Sequence, residues 1–240
     1  MEQKTTAGPR ISVIIPVFNE TAIINGIVRH VRDVAEGPVE IVVADGGSGY
    51  RTLAAVADPA VIRVESLPGR GIQMNAGAKC ATGDILLFLH ADTLLPQNAF
   101  ADIRRAVKGG AVGGAFSLSI DSPRLSLGIV SWFANWRTRL ERVPYGDQAQ
   151  FILTETFRDL GGFADVPIME DVELFQRIRR RGLPISVLRA TVNTSPRRWN
   201  REGVLRRTLK NWWMRVRYAL GASPQELVRQ YRPGGSEDEE

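Results

Sequence analysis

A chain of 240 residues that is 44% hydrophobic and 24% charged can bury a sizeable core, which excludes a disordered or fibrous class. Its one cysteine, Cys80, excludes an intramolecular disulfide and a cysteine-rich zinc site, and it suits a reducing compartment. The net charge of +5 is uneven: the chain ends in four acids, without which 31 basic residues face 22 acidic ones, so the body suits an anionic partner such as nucleotide phosphates, a lipid headgroup surface or nucleic acid.

Residues 1–10, MEQKTTAGPR, have no apolar run behind their charge, so a flexible N-terminus is expected there rather than a signal peptide. Residues 11–18, ISVIIPVF, form a continuous β-rich apolar run, the mark of a strand buried on both faces. A helix is expected over 20–36, where Ile24, Ile27, Val28, Val31, Val34 and Ala35 make one stripe and Gly37-Pro38 stops it. Strands over 39–45 and 60–66 flank a short helix near 51–57. A helix over 70–81, a strand over 84–90 and a helix over 96–107 follow. Strands alternating with helices predict a parallel, doubly wound α/β sheet. After residue 110 the rhythm changes. GGAFSLSI (113–120) alternates like an antiparallel or edge strand, and then come a helix over 123–141, a strand over 148–155 and a helix over 170–181. No apolar run reaches the ~18 residues of a membrane span, and LGIVSWFANW is too short for one.

In an open α/β sheet, ligands bind beyond the carboxyl ends of the strands. Those ends carry Asn19-Glu20, Asp45-Gly46-Gly47-Ser48 and His90-Ala91-Asp92. One such corner is as readily a set of turn residues and helix caps; three on one edge point to a ligand. The first turn, PVFNE, has no glycine, so the dinucleotide fingerprint is absent, and so is a phosphate-binding P-loop. The glycine-rich turn follows the second strand as DGGSG, where Asp45 can accept hydrogen bonds from a nucleoside base or ribose and the glycines let a ligand approach the backbone.

Four segments, SVIIPVFNE, VEIVVADGGSG, GRGIQMNAGAKCATGDILLFLHADT and IMEDVELFQRIRRRG, together resemble the family 2 glycosyltransferases of GT-A fold, in the family's order and over most of residues 11–200. Within that family the chain is most similar to the short bacterial radical-SAM/selenodomain-associated transferases, which share GRG.QMN and HADT. The resemblance implies a GT-A, Rossmann-like, mostly parallel central sheet flanked by helices, with a smaller antiparallel acceptor-side part. A nucleotide-sugar half would cover about 11–110 and an acceptor half about 111–200.

It also implies inverting transfer of a sugar from a nucleoside-diphosphate sugar to an acceptor hydroxyl, assisted by Mn²⁺ or Mg²⁺. By position, Pro16, Asn19 and Glu20 would lie beside the nucleoside, Asp45 at its base or ribose, and Gly69, Arg70, Asn75 and Ala91 along the donor, with Arg70 at the diphosphate. Asp92 matches the second acid of an Asp-x-Asp metal motif whose first acid is replaced by His90. Asp92 would touch the metal. His90 stays open between metal ligand and hydrogen-bond donor to a phosphate or ribose. A helix cap after Pro96 is the other reading of Asp92. In Glu170-Asp171 the aspartate would be the general base, with Glu170 supporting the acceptor; acids at a helix N-terminus are also favoured by its dipole alone. Tyr145, Asp147 and Gln148 would form a loop near donor and acceptor, or a plain turn. Arg197, Arg198 and Trp199, in SPRRWN, resemble part of a Gln-x-x-Arg-Trp motif and are candidates for the diphosphate or an acceptor ring. The other histidine, His30, falls on the polar face of its helix and is given no role.

Residues 201–232 read as a basic, amphipathic C-terminal helical extension and 233–240 as a disordered acidic tail. In 204–220, Leu205, Leu209, Trp212, Trp213, Val216 and Leu220 share one stripe beside Arg206, Lys210 and Arg217. That pattern suits either packing on the catalytic body or an anionic membrane surface, where a lipid-linked acceptor would fit. The expected place is the cytoplasm, with peripheral attachment to the inner face of the plasma membrane in the second case. Two other readings stand beside the enzyme. One is a nonenzymatic nucleotide- or nucleic-acid-binding module using the basic face, which leaves Asp92 and Glu170-Asp171 without a purpose and lacks a nucleic-acid motif. The other is a nucleotidyltransferase, which would want a Gly- and Arg/Lys-rich first loop. No nucleic-acid partner is expected.

Overall fold

The computed structural model describes residues 8–35, 37–196, 199 and 203–231. Most of the N-terminal arm, Arg197 and Arg198, and the acidic tail lie outside the described residues.

Among them, eight strands form one mixed sheet: β1 (Ile11–Val17), β2 (Glu40–Asp45), β3 (Ile62–Glu65), β4 (Ile85–Phe88), β5 (Thr93–Leu94), β6 (Gly113–Ile120), β7 (Gln150–Leu153) and β8 (Ile185–Thr194), in the spatial order β3-β2-β1-β4-β7-β6-β8-β5. The first four run parallel, β7 is antiparallel to both β4 and β6, β6 is parallel to β8, and β5 is antiparallel to β8. The helices are α1 (Ile24–Val34), α2 (Arg51–Ala55), α3 (Arg70–Cys80), α4 (Ala99–Lys108), α5 (Leu125–Glu141), α6 (Thr154–Asp159), α7 (Glu170–Arg180), α8 (Val204–Ala219) and α9 (Pro224–Tyr231).

The pleat explains the apolar runs. Ile11, Val13, Ile15, Ile41, Val43, Ile85 and Leu87 point to one face, where they pack with the α1 stripe and with Phe100 and Ile103 of α4. Ile14, Val42, Leu86 and Phe88 point to the other, against Met74 and Ala78 of α3 and Val172, Phe175 and Ile178 of α7. Helices cover both faces, so the inner strands are apolar at nearly every position. At Gly77 a Cβ would lie 2.6 Å from Ile14 Cγ2, so only glycine lets α3 sit this close to β1.

The strands are laid down outward from β1 to β3 on one side and from β4 on the other, and this switch in strand order between the parallel β1 and β4 places a crevice at their carboxyl ends. The last β1–β4 pair is Ile14↔Phe88, and Pro16 lies just beyond it. Its missing N–H therefore takes no bond from that ladder, at the place where the two strands part.

Three sequence expectations need correction. Residues 113–120 do pair antiparallel with β7, but they are neither an edge strand nor alternating: β6 lies inside the sheet and is buried along nearly its whole length. Its serine pattern misled because Ser117 Oγ donates to the Leu188 carbonyl at 2.7 Å, which makes the hydroxyl tolerable indoors. Residues 185–194 had no assigned element and form β8, a half-buried strand whose apolar signal is interrupted by Arg189. The helix expected over 204–220 is α8, and the extension adds a second, α9, that had no assigned element. No helix among the described residues is long and apolar enough to cross a membrane.

Candidate active site

The site is built from strand ends. At the end of β1, Asn19 adopts a left-handed conformation (φ 54°), and its Oδ1 is 3.1 Å from where a Cβ on Gly47 would stand. Asp45 ends β2, fully buried. Its Oδ1 accepts the Gly47 N–H at 2.8 Å, while the buried Oδ2 has no hydrogen-bond partner. The Glu20 N–H donates to Thr52 Oγ1 at 3.1 Å. The Gln73 side chain, from α3, donates to the Val17 and Ala44 carbonyls and ties the two strand ends together. Asn19, Asp45 and Gly47 thus share a corner that lies outside the main cleft.

The cleft is lined by Arg70, His90, Asp92, Tyr145, Gly146, Asp147, Glu170, Asp171 and Trp199, together with Ile168, Met169, Thr194, Ser195, Asn211 and Met214. His90 and Asp92 occupy the turn after β4, which is closed by the Thr93 N–H donating to the His90 carbonyl at 3.1 Å. The turn is clamped from the far end of the chain. Thr93 pairs with Thr194 in the β5–β8 ladder, and the Ser195 N–H donates to the Asp92 carbonyl at 3.1 Å. Asn98 stands at the start of the following helix, so Asp92 is not its cap. Ala91, half-buried, packs on the core beside it. His30, left without a role above, has a structural one: its Nε2 accepts the Leu95 N–H at 2.9 Å and anchors the chain leaving the corner.

Gly69 (φ 133°) precedes α3, whose first residue, Arg70, is exposed on the cleft wall. Asn75, one turn on, uses both ends of its amide on the backbone of Phe163, donating to the carbonyl and accepting the N–H, each at 2.9 Å. It therefore holds the loop that leads into Glu170-Asp171. Asp171 Oδ2 accepts the Gly146 N–H at 2.6 Å and its Oδ1 accepts the Val172 N–H at 2.7 Å, so both carboxylate oxygens are aimed by backbone. A Cβ on Gly146 would lie 3.0 Å from His90 Nε2 and 3.3 Å from Asp171 Oδ2, so the glycine separates these two groups and little else fits. Burial is the main cause that raises both acids. It lifts Glu170 to about 7, helped by the Asp171 charge and opposed by Arg70. Asp171 is also raised, against its two N–H donors and then Arg70 and Arg137.

Beyond these acids the wall is a stacked arrangement that sequence reading did not find. The Arg137 guanidinium lies 3.8 Å from the Tyr145 ring centroid. Arg215 Nη1 donates to Tyr145 Oη at 3.1 Å, and its Nη2 pairs with Glu141. Burial pushes the Tyr145 phenol up to about 12 and brings Arg215 down to about 10. Gln148 is committed to protein partners: Oε1 to Thr138 Oγ1 at 2.9 Å and to the Tyr145 N–H at 3.0 Å, and Nε2 to the Phe116 carbonyl at 3.1 Å. Asp147 and Trp199 line the cleft. Thr194, Ser195, Asn211, Arg137 and Arg215 carried no local signal, because each enters the site from an element whose pairing is set by the whole fold.

The sequence model described as Glycosyl transferase family 2 matches residues 12–156, more than half of the chain. An uncharacterized glycosyltransferase of Mycobacterium tuberculosis is 29% identical over 197 residues, 76% of this chain and 73% of that protein. A glucosyl-3-phosphoglycerate synthase of the same organism is 33% identical over 104 residues, 39% of this chain and 32% of that protein. Among solved structures, a mannosyltransferase from Pyrobaculum calidifontis in complex with GDP-Man and Mn²⁺ superposes with a TM-score of 0.64 at 22% identity, covering 78% of this chain and 57% of that one. At that identity the likeness shows the fold alone, and this chain spans little more than half of the archaeal one.

Proposed function

The chain belongs to glycosyl transferase family 2, and from that premise we propose that it transfers a sugar from a nucleoside-diphosphate sugar to an acceptor hydroxyl with inversion at the anomeric carbon, Asp171 acting as general base. Membership sets aside the nucleic-acid-binding and nucleotidyltransferase readings. One observation carries the proposal: Asp171 is aimed by the Gly146 and Val172 N–H groups into the same cleft that Arg70, His90 and Asp92 line.

On this reading the nucleoside lies at the Asn19–Asp45 corner, beside Pro16 and Glu20, where the unpartnered Asp45 Oδ2 accepts a base or ribose proton. The diphosphate then runs past Gly69 and Ala91 towards Arg70. His90 and Asp92 line the same cleft, and their donor set of one nitrogen and one carboxylate would suit a divalent cation such as Mn²⁺. A cation bound there supplies neutralisation of the leaving nucleoside diphosphate.

The chain's own residues do the rest. Asp171 takes the proton of the acceptor hydroxyl as that oxygen attacks the anomeric carbon; the bond from that carbon to the diphosphate breaks, its electron pair leaving with the phosphate oxygen. Two adjacent buried carboxyls resist ionising together, and the two N–H donors make Asp171 the member that carries the charge. Glu170, Tyr145 and Asp147 then border the acceptor. A lipid-linked acceptor, and a cytoplasmic setting in which the exposed Cys80 thiol stays reduced, complete the reading. Asp171→Asn should lower turnover by roughly 10²–10⁴-fold, while metal-dependent binding of the nucleoside diphosphate, followed by calorimetry, is retained. Full turnover by that variant would rule out the base.

A further inference from the structure

Helix α5 is built inside out. Leu127, Ser131, Arg137 and Thr138 face inward, while Leu125, Ile129, Trp132, Phe133, Trp136 and Leu140 are exposed. At 100° per residue the exposed six fall within one 100°-wide stripe along the whole helix. Leu125 is 86% exposed, Trp132 66% and Trp136 51%. Such a stripe rivals the roughly 300–600 Å² of the largest apolar patch on an ordinary monomer, so it marks a surface that something covers.

Helix α8 packs beside α5 through the Arg215–Glu141 pair and repeats the pattern. Asn211 and Met214 line the cleft, while Leu209, Trp212 and Trp213 are exposed on the far side. Arg206, Lys210 and Arg217 flank that exposed face. Arg124, Arg139 and Arg142 stand exposed at the two ends of the α5 stripe. Arg217 also faces Glu226 of α9 at 4.0 Å, and the one acid of α5, Glu141, is the partner of Arg215, while α8 itself carries no acid, so basic residues outnumber acidic ones along this face.

We propose that α5 and the outer face of α8 form a docking surface for an anionic phospholipid bilayer, which holds the acceptor side of the cleft at the membrane. Trp, Phe and Leu bordered by Arg and Lys is the composition of helices that lie in the headgroup region. The basic border disfavours a second copy, because a two-fold contact would set the same cations against each other. Among the described residues nothing covers this face, and residues 1–7 and 232–240, which lie outside them, contain no apolar segment. The proposal goes beyond the catalytic reading and does not depend on it.

The test is co-flotation of the full chain with vesicles, without any donor. Phosphatidylcholine vesicles containing phosphatidylglycerol should carry the protein at low salt, and phosphatidylcholine alone should not. Trp132→Glu combined with Trp136→Glu should cut flotation by tenfold or more with an unchanged melting temperature. Arg206→Glu with Lys210→Glu should abolish the preference for anionic vesicles. Flotation of the tryptophan variant at the wild-type level overturns the proposal. So does absence of wild-type flotation, whether the chain is then monomeric or forms a concentration-dependent dimer that the same variant dissolves. Asp171→Asn should float like the wild type, so a failure here and a failure of the catalytic assignment are told apart.

Discussion

At the scale of single residues, the Glu170–Asp171 pair gives the site its pH dependence. Glu170 titrates near 7 in the fold against an ordinary 4.5, so the folded state holds this proton more tightly than the unfolded chain does. The burden on stability is absent below the unfolded value and grows as pH rises through about 7. Glu170→Gln should therefore melt above the wild type at pH 8 and level with it at pH 4, by calorimetry. Because Glu170 still holds its proton when Asp171 ionises, the acid limb of kcat/KM should stay in place in that variant. Gly146 offers a second check. Its missing Cβ leaves room between His90 Nε2 and Asp171 Oδ2, and Gly146→Ala should cost on the order of 10²-fold in kcat through misplacement of the base. Denaturant titration of the same variant should show a much smaller change in stability. The roles of Asp171 and Asp92 could be argued from their places in motifs. That Asn75 and Gln148 are spent on protein backbone and side chains could not, because amides look alike in sequence whether their partners are a ligand or a loop.

At the scale of elements, two helical glycines of the same residue type should respond in opposite directions. A Cβ at Gly77 meets Ile14 Cγ2 at 2.6 Å, so Gly77→Ala should cost about 1–3 kcal/mol as α3 is forced off β1. A Cβ at Gly26 in α1 meets nothing within 4 Å, so Gly26→Ala should gain about 0.5–1 kcal/mol. Urea unfolding of both reads the difference. Elements with a clean period were legible: α1 and α7 follow their apolar stripes, and β1, β2 and β4 their continuous runs. The short pair β5 and the half-buried β8 were not, since β5 is only Thr93–Leu94 and β8 owes its place to β6 and β5 rather than to its own pattern.

At the scale of the whole molecule, the cleft joins two unlike parts. One wall is strand ends of the parallel sheet; the other is Tyr145 held between Arg137 and Arg215, the latter delivered by α8. Arg215→Ala should raise the acceptor KM while leaving nucleoside-diphosphate affinity by calorimetry unchanged, and should cost roughly 1–3 kcal/mol of stability by stranding Glu141. A nucleoside-diphosphate affinity that falls with it would mean the two walls are not separate. The inverted amphipathicity of α5 belongs to this scale as well, since an apolar stripe reads as a core face until the fold shows which side is inward. By itself the sequence determined the α/β class, the parallel strand ends with their polar corners and the order of motifs, because each of these is a local pattern of period, turn chemistry and residue type. Only the tertiary structure decided that Thr194 and Ser195 clamp the His90–Asp92 turn, that Gly146 aims Asp171, and that α5 turns its tryptophans outward. Those facts depend on strand pairing and packing between segments distant in the chain, where no local periodicity records the partner.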